Sequence, residues 1–508
     1  MVPAVAEAFE QAIVDWVEDH RGDTITLLRR LVRTPSYSGR EGTAADPSTV
    51  AGQVFEAASA HGRRVEAQIV DASSENIIEV IPGRGPRAFV LEAHMDAVPE
   101  GDRRLWHEAD PFSGAEGTVE YLGQGTVAIE VGGARYPARI RDRMARIWDL
   151  REHRRLPLVY GRGSFDNKGP LVSTVMAMGA LAAAARTTGA ALGGWAIGAY
   201  TVDEEVSARG VKAFACAPDS WLARHGFLAG PTDADGFLRD VAGIAMDGSY
   251  GWTPIVGHRG SAQFELRATG RSAHASTPDL GANAVELMAR LLLHLQSSQD
   301  DLRDRLLPSL EAALVGPPTF AVGTTIAGGG VQSVTMTSQG PVVERSGVNA
   351  IPNWCRATID VRFPPARELD LDGTVGLIKE VLEDALRSVS LEEGCSWELV
   401  EIERNPPVAL ARDLDHAAAL PLVKSARRRA TQILGFEPPL ETAPGGTDAT
   451  QMINEARIRS LVEFGPAGAL SHDTHEFVEV DSVVDGAKIL ALTVLDNLGL
   501  AASEPPGA

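Results

Sequence analysis

Cysteine is scarce in this chain: Cys216, Cys355 and Cys395 are the whole supply in 508 residues. Their odd number, their wide spacing and the lack of any CxxC pair exclude a disulfide framework and a cysteine zinc site, and point to a reducing cytoplasm. Positive charge is short as well. With Lys+Arg 47 against Asp+Glu 68, the formal net charge is -21. A field of that sign repels polyphosphate surfaces, which argues against nucleic acid or an anionic membrane as partner. Long apolar runs are missing: the most apolar stretch, Pro170 to Ala185, is shorter than a membrane span and is flanked by Lys168 and Arg186. The N-terminal "MVPAVAEAFEQAIVDWVEDH" lacks a basic leader and carries acids throughout, so it reads as an amphipathic helix and not as a signal peptide. Neither GxSxG nor HExxH occurs, which disfavours a serine hydrolase and a helix-borne zinc protease. Internal repeats and long low-complexity segments are absent, and "AASEPPGA" at the end reads as a loose tail.

What is present is a globular composition, 44% hydrophobic and 23% charged, in a chain too long for one core. Four apolar runs share one feature. "AFVLEAH" ends in His94, "WAIGAYTVDEE" in Glu204 and Glu205, "VAGIAMD" in Asp247, and "RSLVEFG" stops before a His-rich loop at 471–475. Continuous apolar runs separated by helical stretches predict strands buried on both faces, hence a mostly parallel sheet with helices on both faces. The carboxyl ends of such strands form the ligand-binding edge, so metal-type residues are expected to converge there. Between 257 and 404 the pattern changes. "SAQFELRAT" and "CRATIDVRF" alternate strictly, helical runs follow at 281–296 and 374–389, and "TFAVGTTIAG" and "SWELVEIE" add two more strands. The order strand, helix, strand, strand, helix, strand predicts a ferredoxin-like α+β module inserted into an α/β domain. The expected organisation is therefore 1–256 and 405–508 as one catalytic domain, interrupted by 257–404, with "RNPPVA" marking the return. The segment 116–157, with eight arginines between Arg135 and Arg155, is expected to be a surface hairpin and helix with solvated charge; a lid or subunit contact is the alternative.

The stretch "AYTVDEEVSARG" sets Asp203, Glu204 and Glu205 behind a buried strand. A charge run usually just faces water, but adjacent acids at a strand end face opposite ways, which lets one bind a cation while the other stands free as a base. "EAHMDAVPEGD" places His94 and Asp96 two apart, a spacing that suits an imidazole ligand and a carboxylate that fixes its geometry. "YGRGSFDNKGP" holds Asp166 in a glycine-flanked turn before a helix, where it is either an N-cap or a carboxylate pressed toward a metal pair.

Taken together, HMDxVPxGD, DPFxG, YGRGxxDxKGP, the DEE triplet, GRSAHAS, NAIP followed by DVR, PGGTDA and a terminal HxxxE occur in one order. This series resembles the dinuclear zinc amidohydrolases that include acetylornithine deacetylase, succinyl-diaminopimelate desuccinylase, aminoacylase-1, glutamate carboxypeptidase and carnosinase-type dipeptidases, over about residues 10 to 495. The resemblance implies two divalent ions per chain, zinc with cobalt or manganese as alternatives. His94 and Asp247 are then ligands of one ion, Glu205 and His472 of the other, and Asp166 bridges. Asp96 orients His94, and Glu204 is the general base. Asp240 and Asp235 compete with Asp247, which alone follows an apolar strand run. In "SHDTHEF" the pattern selects His472 with Glu476, and His475 stands where Asn or Asp is more usual.

The resemblance also implies that His274 of the inserted module reaches the oxyanion of a neighbouring subunit in a homodimer. Asn349 and Arg362 resemble a pair that binds a substrate carboxylate, although Arg362 can instead pair with Asp360. Gly446 and Thr447 of "PGGTDAT" face the substrate in the same comparison. The expected activity is metal-dependent hydrolysis of an amide in an N-acyl amino acid or related small carboxylate-bearing substrate. The alternatives are a dipeptidase or carboxypeptidase of the same kind, or an acyl-transferring or non-catalytic relative. An idle scaffold has no need of a base, and Glu204 is present.

Overall fold

The uninterrupted apolar runs form strands that are covered on both sides, as residues such as Ala88–His94, every one of them buried, require. The computed structural model describes residues 3–106, 110–140, 142–151, 154–329, 331–337, 340–345, 349–443 and 445–501. Most of the loose tail expected at the C-terminus lies outside these residues. The chain forms two compact units, one of Met1–Gly257, Asp413–Ala443 and Thr447–Ala508, the other of His258–Arg412 and Pro444–Gly446. Residues 405–412 and the Pro444–Gly446 loop thus group with the second unit.

The first unit holds a six-stranded sheet. From edge to edge its strands are Arg64–Ile69, Glu75–Ile81, Trp195–Thr201, Ala88–His94, Val241–Met246 and Arg459–Leu461. The last four run parallel and the first two are antiparallel additions. Register sets the site: His94 lies opposite Thr201 and Ala93 opposite Met246. The acids just past Thr201 and Met246 therefore emerge beside His94. Helix Gly169–Thr188 packs on these strands and against helices Pro3–Asp19 and Val480–Leu498. It belongs to Ser164–Thr188, which is apolar and long enough to cross a membrane, but 89% of its most apolar window is buried inside the protein. It is a core helix.

A second six-stranded sheet, antiparallel throughout, runs Gly468–Ala469, Phe477–Glu479, Arg155–Tyr160, Ala115–Gly123, Thr126–Val131 and Ala134–Arg139. Here the structure corrects the reading of 116–157. The hairpin and the helix Asp142–Asp149 exist, but they enclose a core of Trp106, Tyr121, Trp148, Tyr160 and Phe477. The cause is alternation: Val119, Tyr121, Val127, Ile129 and Val131 turn inward, while Glu120 and Glu130 turn outward to the arginines. Arg135 pairs with Glu120 at 2.9 Å and Glu130 at 2.7 Å, and Arg155 with Glu130 at 2.6 Å. Trp148 and Arg151 both donate to buried Glu479.

The second unit contains a four-stranded antiparallel sheet in the order Thr319–Gly328, Trp354–Phe363, Gly260–Thr269 and Ser396–Asn405. Numbered along the chain this order is 2-3-1-4, the ferredoxin-like arrangement. Phe264 faces Ile359 and Leu266 faces Ala357 across the central pair, and helices Ala284–Ser297 and Leu371–Arg387 add Leu287, Leu291, Ile378 and Leu382 to the same core. Two features lie outside the sequence expectation, the helix Gln299–Leu306 and the hairpin Val331–Thr337 with Gly340–Arg345.

Candidate metal centre

Three strand ends of the parallel sheet deliver side chains to one place. His94 closes its strand, Glu204 and Glu205 lie in the turn after Thr201, and Asp247 directly follows Met246. The two glutamates are thus in a turn beyond the strand, not on it. Asp203, at φ 64, makes that turn possible: Glu41 accepts from its backbone N–H at 2.9 Å, and its own carboxylate accepts from Ser207 and Arg209, each at 2.6 Å. Asp203 is structural. Asp235 is engaged by Arg459 at 2.9 Å, and Asp240 precedes the strand whose far end carries Asp247, so neither competes for the site.

Asp166 and His472 arrive differently from the expectation of four converging parallel strands. The strand Arg459–Leu461 ends well before His472, and the chain crosses into the second sheet, where His472 sits between Gly468–Ala469 and Phe477–Glu479. Asp166 follows the neighbouring strand Arg155–Tyr160 in a turn opened by Gly161 at φ 137 and Gly163 at φ 79. A side chain at Gly161 would meet the Pro111 carbonyl oxygen at 2.7 Å. The residue capping the following helix is Lys168, so Asp166 is not an N-cap. The Asp166–Asn167 peptide is cis.

The side chains form two groups that share Asp166: His94, Asp166 and Asp247, and Asp166, Glu205 and His472, with the ligand atoms of each group within 4.8 Å of one another. His94 Nε2 lies 3.4 Å from Asp166 Oδ1, and His472 Nε2 lies 3.2 Å from Asp166 Oδ2 and 3.1 Å from Glu205 Oε2. Two ligands at about 2.0–2.2 Å on one tetrahedral ion stand about 3.3–3.5 Å apart, so these separations suit shared ions. His94 Nε2 is buried and makes no hydrogen bond, which is the state of a nitrogen reserved for a metal. Its Nδ1 faces the Asp96 carboxylate at 3.4 Å and the Asp96 carbonyl at 3.2 Å. Asp96 is itself fixed by Ser38 Oγ at 2.6 Å and by the backbone N–H groups of Glu204 and Glu205, each at 3.1 Å. One carboxylate therefore sets both the imidazole ligand and the Glu204–Glu205 turn.

The electrostatics agree. Burial pushes Asp247 up to about 8, with the Asp166 charge adding to it. Burial, then the charges of Asp448 and Asp247, push Glu204 well above the usual carboxylate range against the pull of His94, and burial raises Glu205 too. Although burial opposes it, the His472 and His94 imidazoles that face Asp166 pull it far down. Hydrogen bonds to Asp166 and Glu205 hold His472 up at about 10. So many acids in so little solvent are ionised together only beside cations. The nitrogen and oxygen donor set fits two divalent ions such as zinc.

Two buried acids and one buried ion pair add to what the sequence pointed to. Asp448 is 2% exposed and close enough to raise Glu204, Thr201 Oγ1 lies 3.2 Å from its Oδ2, and its Oδ1 makes no hydrogen bond. Glu92, within the strand that ends at His94, accepts from the same hydroxyl at 2.6 Å, so the two acids share Thr201; burial pushes Glu92 up to about 7. An acid inside the apolar run "AFVLEAH" was the available signal. The third group is Arg162 with Glu476, an ion pair at 2% and 0% side-chain exposure. Glu476 also accepts from the N–H groups of Gly163, Phe165 and Asp166 at 3.0, 2.9 and 3.0 Å, so it ties the Asp166 turn to the His472 loop.

The remaining site candidates divide between the units. In the second unit, His274 is exposed, its Nδ1 is 2.7 Å from Ser276 Oγ, and its Nε2 is 3.5 Å from Asn349 Nδ2, so those two residues are brought together. Arg362 is engaged by Asp360 on its own strand, at 2.7 and 3.1 Å. Gly446 belongs to this unit and Thr447 to the first. Thr447 Oγ1 donates to the Val462 carbonyl at 2.8 Å and accepts from Ala449 N–H at 3.3 Å, so its hydroxyl serves the local backbone.

Known proteins are similar to this chain in sequence and in fold. Residues 256–389 match the peptidase dimerisation domain, M20_dimer. Succinyl-diaminopimelate desuccinylase of Phenylobacterium zucineum is 25% identical over 91% of this chain and 94% of its own length. The chain is therefore similar to succinyl-diaminopimelate desuccinylases and contains an M20 peptidase dimerisation domain. A probable carboxypeptidase of Aspergillus terreus is 33% identical to this chain over 340 residues, 63% of this chain and 60% of that protein. Among solved structures, an M20 family metallo-carboxypeptidase from Sulfolobus solfataricus has the same fold, with a TM-score of 0.58 at 16% identity over 93% of this chain and 98% of that one.

Proposed function

We propose that this protein is a metallo-hydrolase of the M20 type that cleaves an amide bond in an N-acyl amino acid or a related small carboxylate-bearing substrate. His94, Asp166 and Asp247 would hold one divalent ion, and Asp166, Glu205 and His472 the other, zinc in the first instance. Bound there, two such ions lower the pKa of a water and polarise the scissile carbonyl. The observation that carries the reading is the placement of Glu204, which belongs to neither group yet sits within electrostatic reach of His94, Asp247 and Glu205. Glu204 takes a proton from the attacking water and passes it to the leaving nitrogen. Asp96 keeps the His94 ring and the Glu204 backbone in register with each other, through its contact with Nδ1 and its hydrogen bond from the Glu204 N–H.

The dimerisation domain supports a homodimer, in which His274 of a second copy stabilises the tetrahedral oxyanion. Asn349 and Arg362 are the proposed partners of the substrate carboxylate, with Gly446 and Thr447 beside it; Arg362 takes that role only by sharing or leaving Asp360. The three free thiols and the desuccinylase relatives fit a cytoplasmic enzyme. The match to a probable carboxypeptidase favours a second reading, in which the amide is a peptide bond. Incubation of zinc-, cobalt- and manganese-loaded protein with a mixed library of acyl amino acids and dipeptides, read by mass spectrometry, separates the two. Release of free amino acid from acylated substrates is the expected result, release from dipeptides alone favours the second reading, and a library left unchanged by all three forms contradicts both.

A further inference from the structure

The His472 side chain is 55% exposed, yet its Nε2 stands 3.2 Å from Asp166 and 3.1 Å from Glu205. With so little packed on it, the ring is aimed by the backbone that carries it. That backbone is under strain: Leu470, His472 and His475 take φ of 67, 60 and 63, a region sparsely populated by residues with a side chain. Such a loop keeps its shape only if its surroundings over-determine it. Glu476 is one anchor. The other is His475, only 7% exposed. Its ring stacks on Tyr136 with centroids 4.4 Å apart and planes at 21°, its Nδ1 lies 2.8 Å from Tyr160 Oη, and Trp106 borders it at 5.9 Å.

Tyr136 comes from Ala134–Arg139, the edge strand of the 116–157 segment, and that segment has no other part in the proposed chemistry. We infer that the 116–157 segment is a positioning element for the Asp166–Glu205–His472 metal group, acting through the stack of Tyr136 on His475. The two residues touch neither substrate nor metal; they fix the loop three residues after His472, as partners outside a ligand set commonly do. The inference rests on the two-metal reading above, and its test keeps the two separable.

The probe is Zn²⁺ alone, titrated by calorimetry into metal-free full-length protein. Wild type should take two ions. Tyr136→Ala should weaken one of them roughly 10–100-fold and leave the other unchanged. Tyr136→Phe, which keeps the stacked ring, should restore wild-type affinity. His475→Asn should reproduce the loss from the other side of the stack. In a His472→Ala background, where the affected ion is already compromised, Tyr136→Ala should add nothing further. Two unchanged affinities in Tyr136→Ala, an equal loss of both ions, or failure of Tyr136→Phe to rescue would each overturn the inference while leaving the two-metal reading in place. A wild type that binds no zinc would remove the proposed function, and this inference with it.

Discussion

Substituting either member of the Arg162–Glu476 pair should expose an asymmetry that the structure sets. Both side chains are buried, at 2% and 0% exposure. With Glu476→Gln, Arg162 keeps the Asp473 carbonyl at 2.9 Å and the face of Trp106 at 5.6 Å, but nothing of opposite charge. The Gln NH2 group also points at donors where Oε2 had accepted from Gly163 N–H and Arg162. Leaving one charge of a buried pair without its partner costs about 3–5 kcal/mol. With Arg162→Met, by contrast, Glu476 keeps the three N–H donors of Gly163, Phe165 and Asp166. Burial already pushes its pKa up to about 7, so it can take a proton instead of staying charged. The cost is then nearer that of one lost hydrogen bond to a charged group, about 1.5–3 kcal/mol. Urea unfolding of the metal-free proteins at neutral pH, with midpoints converted to free energies, reads the difference directly. Glu476→Gln should be the more destabilised, and it should also bind zinc more weakly, since the Gly163 N–H in the turn that carries Asp166 loses its acceptor. If Arg162→Met proves equally or more destabilised, the account of this anchor is wrong.

Other outcomes follow from the same geometry. Glu204→Gln should keep two zinc ions and its fold while losing several orders of magnitude in rate, whereas Glu205→Gln should lose affinity for one ion; identical behaviour of the two would undo the division between base and ligand. Glu79 is fully buried beside Arg63 and Tyr200, and burial pushes it up to about 7 from 4.5. An acid raised on folding is protonated in the folded protein when it is already ionised in the unfolded chain. It therefore makes stability fall as pH rises from about 4.5 to 7, by roughly 3 kcal/mol. Glu79→Gln should remove that slope from unfolding free energies measured across this window, and an unchanged slope would refute it. Finally, His274→Ala and Glu204→Ala should each be nearly inactive, yet co-refolded in equal amounts they should recover roughly one quarter of wild-type activity through mixed dimers. No recovery, with mixed dimers demonstrated, would place His274 outside the neighbouring site.

The parts of the site that were legible in the sequence are those whose signal is local. His94, Glu205 and Asp247 follow apolar runs that could only be buried strands, and parallel register carries them to one edge. The path to His472 is not legible because its flanking strands, Gly468–Ala469 and Phe477–Glu479, are too short for any periodicity to show, and the second of them pairs with Arg155–Tyr160, some three hundred residues away in sequence. The 116–157 segment looked solvated because its arginines dominate the composition; the inward row of Val119, Tyr121, Val127 and Ile129 becomes a core only when Trp148 and Phe477 close over it. Asp448 was passed over for a related reason. In "PGGTDAT" it reads as a turn residue, and what marks it is the company of Thr201 and Glu92 from two other strands. Arg362 shows the opposite case, since both of its possible partnerships were visible in the sequence, and the pairing with Asp360 is the one the strand makes.

The central claim, that this protein works as a hydrolase with two ions held around Asp166, is tested most directly by metal content measured against turnover. Protein stripped with a chelator and assayed on whichever library substrate is cleaved should be inactive. Zinc added back should bind to two equivalents per chain and restore activity. A fully active preparation that contains no divalent metal by elemental analysis would contradict the account.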